Sequence, residues 1–365
     1  MQSRNWQSVR IFAAALILAG GVVIAGRAVA GPQQAGGSGY KLAKKAQVGG
    51  EGFWDYLEVD PVAHHAFISR GSHVMVVDEG GNVIGDIPGT NGVHGVALAP
   101  EFNRGFTTDG QANQVTIFDM KTFKPIGTAA TDKGPDGLVY DPASKRVFTM
   151  NGAGNSATAI DAANGNVAGT VQLGGRPEFP AADGKGHVFA NLEDKSAIAE
   201  LDSKNLKLLN TWPLAPCESP SGLAIDAAHD RLVVGCHNNM MAFVDSTNGK
   251  VVGTVPIPGG VDANRFDPGT AFAFASTGSG EGAITVAHED SPDKFTVVDT
   301  IPTMAGARTM AVDYGDHAIY TVSAQVETAP APAPSAGGQG GEGRGRGFGR
   351  RTMVPGSFTV LIFKR

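Results

Sequence analysis

Short apolar runs alternate with clusters of turn formers through most of this chain. Residues 138–179 show the pattern most clearly: LVYDPASKRVFTMNGAGNSATAIDAANGNVAGTVQLGGRPEF. The apolar runs fall at 138–140, 146–150, 156–160 and 167–173. Asp-Pro-Ala-Ser, Asn-Gly-Ala-Gly, Asn-Gly-Asn and Gly-Gly-Arg-Pro separate or follow them. Runs of this length between such turns predict four antiparallel strands. No helical period is sustained beyond the N-terminus.

The same unit recurs along the chain, and two anchor positions mark it. The first anchor follows strand one: Asp60, Ala99, Asp141, Asp183, Asp226, Asp267 and Asp313. The second follows strand three: Asp78, Asp119, Asp161, Asp202, Asp245, His288 and Lys364. First anchors lie 39 to 46 residues apart, so seven units are expected. Asp followed by Pro opens a turn and accepts from nearby N–H groups, so the anchors are expected to be structural.

One four-stranded sheet cannot bury both of its faces. Stacking such sheets around an axis buries them against their neighbours, and a period of about 40–45 residues is the signature of that arrangement. The expected fold is all-β: a seven-bladed β-propeller of four-stranded antiparallel blades, spanning residues 40–365 as one domain. Residues 40–50 (YKLAKKAQVGG) match a fourth strand, and residues 357–364 (SFTVLIFK) match a third. The N-terminal strand is therefore expected to join the C-terminal blade and close the ring, which protects edges that would otherwise pair with other chains.

Two segments fall outside the repeat. Residues 1–30 carry Arg4 and Arg10, an apolar run at 11–25 and the small-x-small site Ala28-Val29-Ala30. That is the pattern of a secretory signal peptide, and the run is short for a membrane span. Without Arg4, Arg10 and Arg27 the formal charge moves from −6 to −9. Such a chain has no general attraction for nucleic acid. A periplasmic or secreted monomer is expected. Residues 324–356 form a Pro/Ala-rich, then Gly/Arg-rich insert whose composition cannot build a core, so it is expected to be disordered. Its Gly338-x-Gly340-x-x-Gly343 has neither a strand before it nor a helix after it, and is not a nucleotide motif.

Glycine numbers 51 and charged residues make up 18%, which suits a turn-rich β protein. The two cysteines, Cys217 and Cys236, are a disulfide candidate in an exported chain. No cofactor motif is evident.

Candidate chemistry comes from counting five residues back from each first anchor. The positions are Asp55, His94, Asp136, Glu178, Ser221, Asp262 and Arg308, all polar. Equivalent places in successive units should form a ring at one mouth of the central channel. Strand two ends on the same face and adds Arg70, Asp109, Asn151, Asn191 and His237. Two carboxylates about 8 Å apart repel by about 2 kcal/mol at an effective dielectric near 20, so the ring needs compensation. Arg308 stands between Asp262 and Asp55 in ring order. His94, Asp136 and Glu178 are consecutive, and are the candidate ligands for a divalent cation. Ser221 has no G-x-S-x-G frame and stands far round the ring from His94, which argues against a serine hydrolase.

The units built on Ser221-Gly-Leu-Ala-Ile-Asp, Arg231-Leu-Val-Val, Ala242-Phe-Val-Asp and Lys250-Val-Val-Gly-Thr-Val-Pro-Ile resemble the YVTN-type repeat of the YncE-like β-propellers. That resemblance implies an exported seven-bladed propeller. It carries no catalytic assignment, since such propellers serve as binding scaffolds, electron-transfer subunits and lactone hydrolases. Glu178-Phe-Pro and Asp262-Ala-Asn depart from the Pro-x-Gly expected there and point to a specialised mouth. The expected function is binding of a small molecule or protein partner at the ring. The alternative is a metal-dependent, lactonase-like hydrolase using the same residues.

Overall fold

The stretch beginning at residue 138 folds as its pattern predicts. In the computed structural model, which describes residues 37–328 and 351–365, Pro135–Asp141, Arg146–Asn151, Ser156–Asp161 and Val167–Gln172 form one antiparallel sheet in that order. The turns close through the anchor aspartates. Asp141 accepts from the N–H groups of Ala143 and Ser144, and Asp161 from those of Ala163 and Asn164. These are the local side-chain caps that favour Asp in turns.

Three further sheets repeat this plan. Their strands are Pro177–Ala182, His187–Leu192, Ala197–Asp202 and Lys207–Pro213; then Pro220–Asp226, Arg231–Cys236, Met240–Asp245 and Val251–Pro256; then Val261–Asp267, Phe272–Thr277, Ala283–Ser291 and Lys294–Pro302. The first two units are joined into one seven-stranded sheet. The 17-residue strand Val83–Ala99 makes the join. Ile87 pairs with Val74 of the first unit, and Ala97 with Phe106 of the second. One strand is thus the outer member of one unit and the inner member of the next.

The last sheet mixes both ends of the chain. Its order is Lys41–Gln47, Thr359–Lys364, Ile319–Ser323 and Met310–Val312. Ala46 lies opposite Val360 and Lys44 opposite Ile362. The first strands lie side by side in chain order, and Met310–Val312 lies against both Val261–Asp267 and Leu57–Asp60.

Burial follows position within the sheet. The second strand Arg146–Asn151 is buried along nearly its whole length, whereas the outer strand Val167–Gln172 is mostly exposed. Hydrophobic clusters sit between neighbouring sheets. One of them joins Leu57, Val59 and Ile68 to Tyr320, Val322, Val360 and Ile362. Phe67, Phe106, Phe148, Phe189 and Phe274 each stand third in a second strand and are buried. Each such side chain contributes about 1.5–3 kcal/mol.

Cys217 and Cys236 form the expected disulfide, tying the approach to Pro220–Asp226 to the end of Arg231–Cys236. The insert differs from expectation at its ends. Val326–Thr328 pairs with Arg351–Met353, and the N–H of Val354 reaches the carbonyl of Gln325. Backbone pairing gives these flanks a short ladder that their composition does not announce. The leader and residues 329–350 lie outside the described residues. Among the described residues, no helix is long and apolar enough to cross a membrane.

Candidate functional site

The counted positions come together: Asp55 and Arg308 stand just ahead of a first strand, and His94, Asp136, Glu178, Ser221 and Asp262 lie within one. Asp55 Oδ2 lies 2.8 Å from His94 Nδ1, and Arg308 Nη2 donates to Asp55 Oδ1 at 3.3 Å. On its other side Arg308 Nε donates to Asp262 Oδ2, which also shares its carboxylate with the Ser221 hydroxyl at 3.2 Å. His94 Nδ1 is 3.6 Å from Asp136 Oδ1. The result is a continuous arc: Ser221, Asp262, Arg308, Asp55, His94, Asp136. Glu178 joins through Tyr56, whose hydroxyl donates to Glu178 Oε1 at 3.1 Å.

The framework that holds this arc was not visible in the sequence. Thr108 donates to the carbonyl of Asp136, Ser276 to that of Arg308 and Thr309 to that of Asp55. Asn191 donates to the carbonyls of Ser221 and Gly222. Thr108, Ser276 and Asn191, near the ends of second strands, and Thr309, just ahead of a first strand, thus fix the main chain of the neighbouring unit's ring residue. Gly110 gives His94 its seat, since a Cβ there would stand 3.0 Å from the imidazole.

The ring opens into a cleft of about 610 Å³ lined by Phe53, Trp54, Asp55, His94, Asp136, Arg176 and Glu178. Its size lies within the range typical of small-molecule sites. The ring's charges are strongly perturbed. The hydrogen bond from Asp55 lifts His94 to about 9 against the effect of burial, with the Asp136 charge adding. Burial raises Asp136, and the Asp55 and Asp262 charges push the same way while His94 opposes them. Burial also raises Glu178, with Asp136 and Asp262 adding. Burial raises Asp262, and Arg308 opposes it. At neutral pH the cleft therefore holds protonated His94 among carboxyl groups of unequal charge.

Four of the residues expected from strand two are not at the mouth. Arg70 is fully buried. It donates to the carbonyls of Gly49, Glu51 and Gly52 and stacks 3.5 Å from the Phe358 ring centroid. Asp109 is buried and accepts from Thr107, Thr116 and Gln114. Asn151 is buried against Ser156 and Thr158. Asn191 is the buried brace already described. The reason is directional: these side chains point within or between sheets, whereas the ring residues, within or just ahead of the first strands, meet one another. His237 is partly exposed, 3.9 Å from Glu193, outside the cleft lining.

The proposed metal set also changes. Among the ring residues, Asp55, His94 and Asp136 have ligand atoms within 4.8 Å of one another; Glu178 is not in that group. A neutral His94 could serve as a ligand through Nε2 while Nδ1–H keeps its bond to Asp55.

No protein-family profile matches the chain. The uncharacterised protein YncE of Salmonella typhimurium is 34% identical over 91 residues, and that of Salmonella typhi matches equally. The match covers 24% of this chain and spans about a quarter of those relatives, 26% of their length. Among solved structures, RRP9 WD40 repeats superpose with a TM-score of 0.69 at 10% identity, covering 91% of this chain and 99% of that one. U3-55K gives 0.68 at 10% identity, over 88% and 98%. Hydrazine synthase of Kuenenia stuttgartiensis gives 0.64 at 13%, over 73% and 91%. Identities this low speak to the fold alone. The repeat, the stacked four-stranded sheets and these likenesses together show a propeller-type fold, similar over about a quarter of its length to the YncE proteins.

Proposed function

We propose that the chain is an exported, closed seven-bladed propeller that binds a small donor-rich ligand, an amine or a polyol, in the cleft at its channel mouth. Closure is supported by the pairing of Lys41–Gln47 with Thr359–Lys364 and by the contact of Met310–Val312 with Leu57–Asp60. The leader-like residues 1–30 and the Cys217–Cys236 disulfide support export.

The observation that carries the binding reading is the arc itself. Residues 55 to 308 of the chain send seven polar side chains to one rim, and each is tied to another ring residue or to Tyr56. Asp136 and Glu178 keep acceptor oxygens facing a cleft that Phe53 and Trp54 wall on one side. Carboxyl acceptors beside aromatic faces suit ammonium groups and sugar hydroxyls. Calorimetry against primary amines, guanidines and monosaccharides tests it. Binding to the wild type that is weakened at least about tenfold in Asp136→Asn is expected, the loss of a charged hydrogen bond being of that size, with a smaller loss in Glu178→Gln, whose carboxyl favours its neutral form. No binding by any of these compounds would end this reading.

A second reading, a metal-dependent hydrolase, rests on the proximity of Asp55, His94 and Asp136. It predicts stoichiometric divalent metal in the purified protein, lost in Asp136→Ala. Equal and negligible metal in both proteins would remove it.

A further inference from the structure

A second, half-open cavity of about 260 Å³ lies among the inner strands. Neighbouring residues divide the two spaces. Asp55 and Glu178 face the cleft, while the next residues, Tyr56 and Phe179, line the cavity and meet edge to face at 4.8 Å.

Arg265 lines this cavity and is only 7% exposed. Nη1 donates to the carbonyl of Asn264 and Nη2 to that of Leu57, and the guanidinium lies 4.9 Å from the Phe179 centroid. A guanidinium has five N–H donors, so most of them remain for other partners. Buried arginines normally meet a carboxylate in a close, often bidentate pair. Here Glu58 Oε2 stands 3.9 Å away, beyond hydrogen-bond reach. Tyr314 lines the same cavity with 43% of its surface open. A buried cation with spare donors and a half-exposed phenol therefore face the same cavity.

We propose that this cavity is a site for a small oxyanion, a carboxylate or a phosphate, seated on Arg265 with Tyr314 and Glu58 beside it. The volume is below that of drug-sized pockets, so the guest is a few heavy atoms across. Glu58 acts in opposite ways in its two forms. Ionised, it competes with the guest for Arg265 and repels it. Protonated, it offers one more donor. Burial pushes its carboxyl up while Arg265 pulls it down. Occupancy therefore falls as pH rises through the Glu58 titration.

The test is calorimetry with sodium acetate and with inorganic phosphate, at fixed ionic strength set by chloride. The two anions separate a carboxylate guest from a phosphate guest. Glu58→Gln keeps a donor and removes the competing charge, so it is expected to tighten binding about tenfold at pH 7.5 and to flatten its pH dependence. A gain of this kind cannot come from misfolding. Arg265→Gln is expected to abolish binding. Three results would each overturn the proposal: no binding of either anion to wild type and Glu58→Gln, weaker binding in Glu58→Gln, or wild-type binding in Arg265→Gln.

Discussion

Tyr56 and Glu178 are 122 positions apart in the chain, yet the phenol of one donates to the carboxyl of the other at 3.1 Å. The contact joins the first unit to the fourth, between the cleft and the second cavity. Burial, with the Asp136 and Asp262 charges adding, favours the neutral form of the carboxyl, and the phenol's hydrogen bond opposes this.

Stability should therefore fall as pH rises. Glu178, lifted to about 8, and His94, lifted to about 9, bind protons more tightly folded than unfolded. Their contribution is full below the ordinary carboxyl and imidazole values and is lost as pH climbs through the folded ones. Thermal unfolding between pH 5 and 9 should show a declining midpoint. Glu178→Gln should flatten the part of the decline below pH 8, and an unchanged slope would contradict the assignment.

Phe148 stands for the repeated aromatic of the second strands, buried between neighbouring sheets. Phe148→Ala is expected to cost about 3–5 kcal/mol in urea unfolding. A cost below about 1 kcal/mol would mean that the inter-sheet packing is looser than described.

Arg70 belongs to the framework and not to the mouth. Arg70→Gln should lower stability by about 2–4 kcal/mol, because the carbonyls of Gly49, Glu51 and Gly52 lose their donor. At temperatures where the variant is folded, its affinity for a cleft ligand should match the wild type. A stable variant with lost affinity would return Arg70 to the binding surface.

Removing residues 1–48 takes away the partner of Thr359–Lys364. That strand then becomes an unpaired edge. The truncated chain should melt at least several degrees lower and form soluble aggregates on size exclusion. An unchanged midpoint with a monomeric profile would show that the strand is dispensable.

Much of this architecture is legible in the sequence because the turns are punctuated by Asp at a fixed step. Counting back from those aspartates found the rim residues from Asp55 to Arg308. Placing the ends of strand two on the same face failed for Arg70, Asp109, Asn151 and Asn191, since a position along a strand gives height but not the sideways direction of the side chain. Thr108, Ser276 and Thr309 escaped notice because a hydroxyl residue in a strand reads as an ordinary β former until its partner in the next sheet is known. Ring order named Glu178 as the neighbour of Asp136, but only coordinates show Asp55 closer to His94. The 17-residue strand Val83–Ala99 runs two units together because pairing lapses over its Gly-Thr-Asn-Gly passage and resumes at Val93, opposite both Gly71 and Asp109.

The pairing of Lys41–Gln47 with Thr359–Lys364 also bears on how the molecule comes into being. A ribosome makes Lys41–Gln47 long before Thr359–Lys364. The sheet that contains both cannot assemble until the later strand has emerged, so the nascent polypeptide waits with that gap unfilled while the intervening sheets are made.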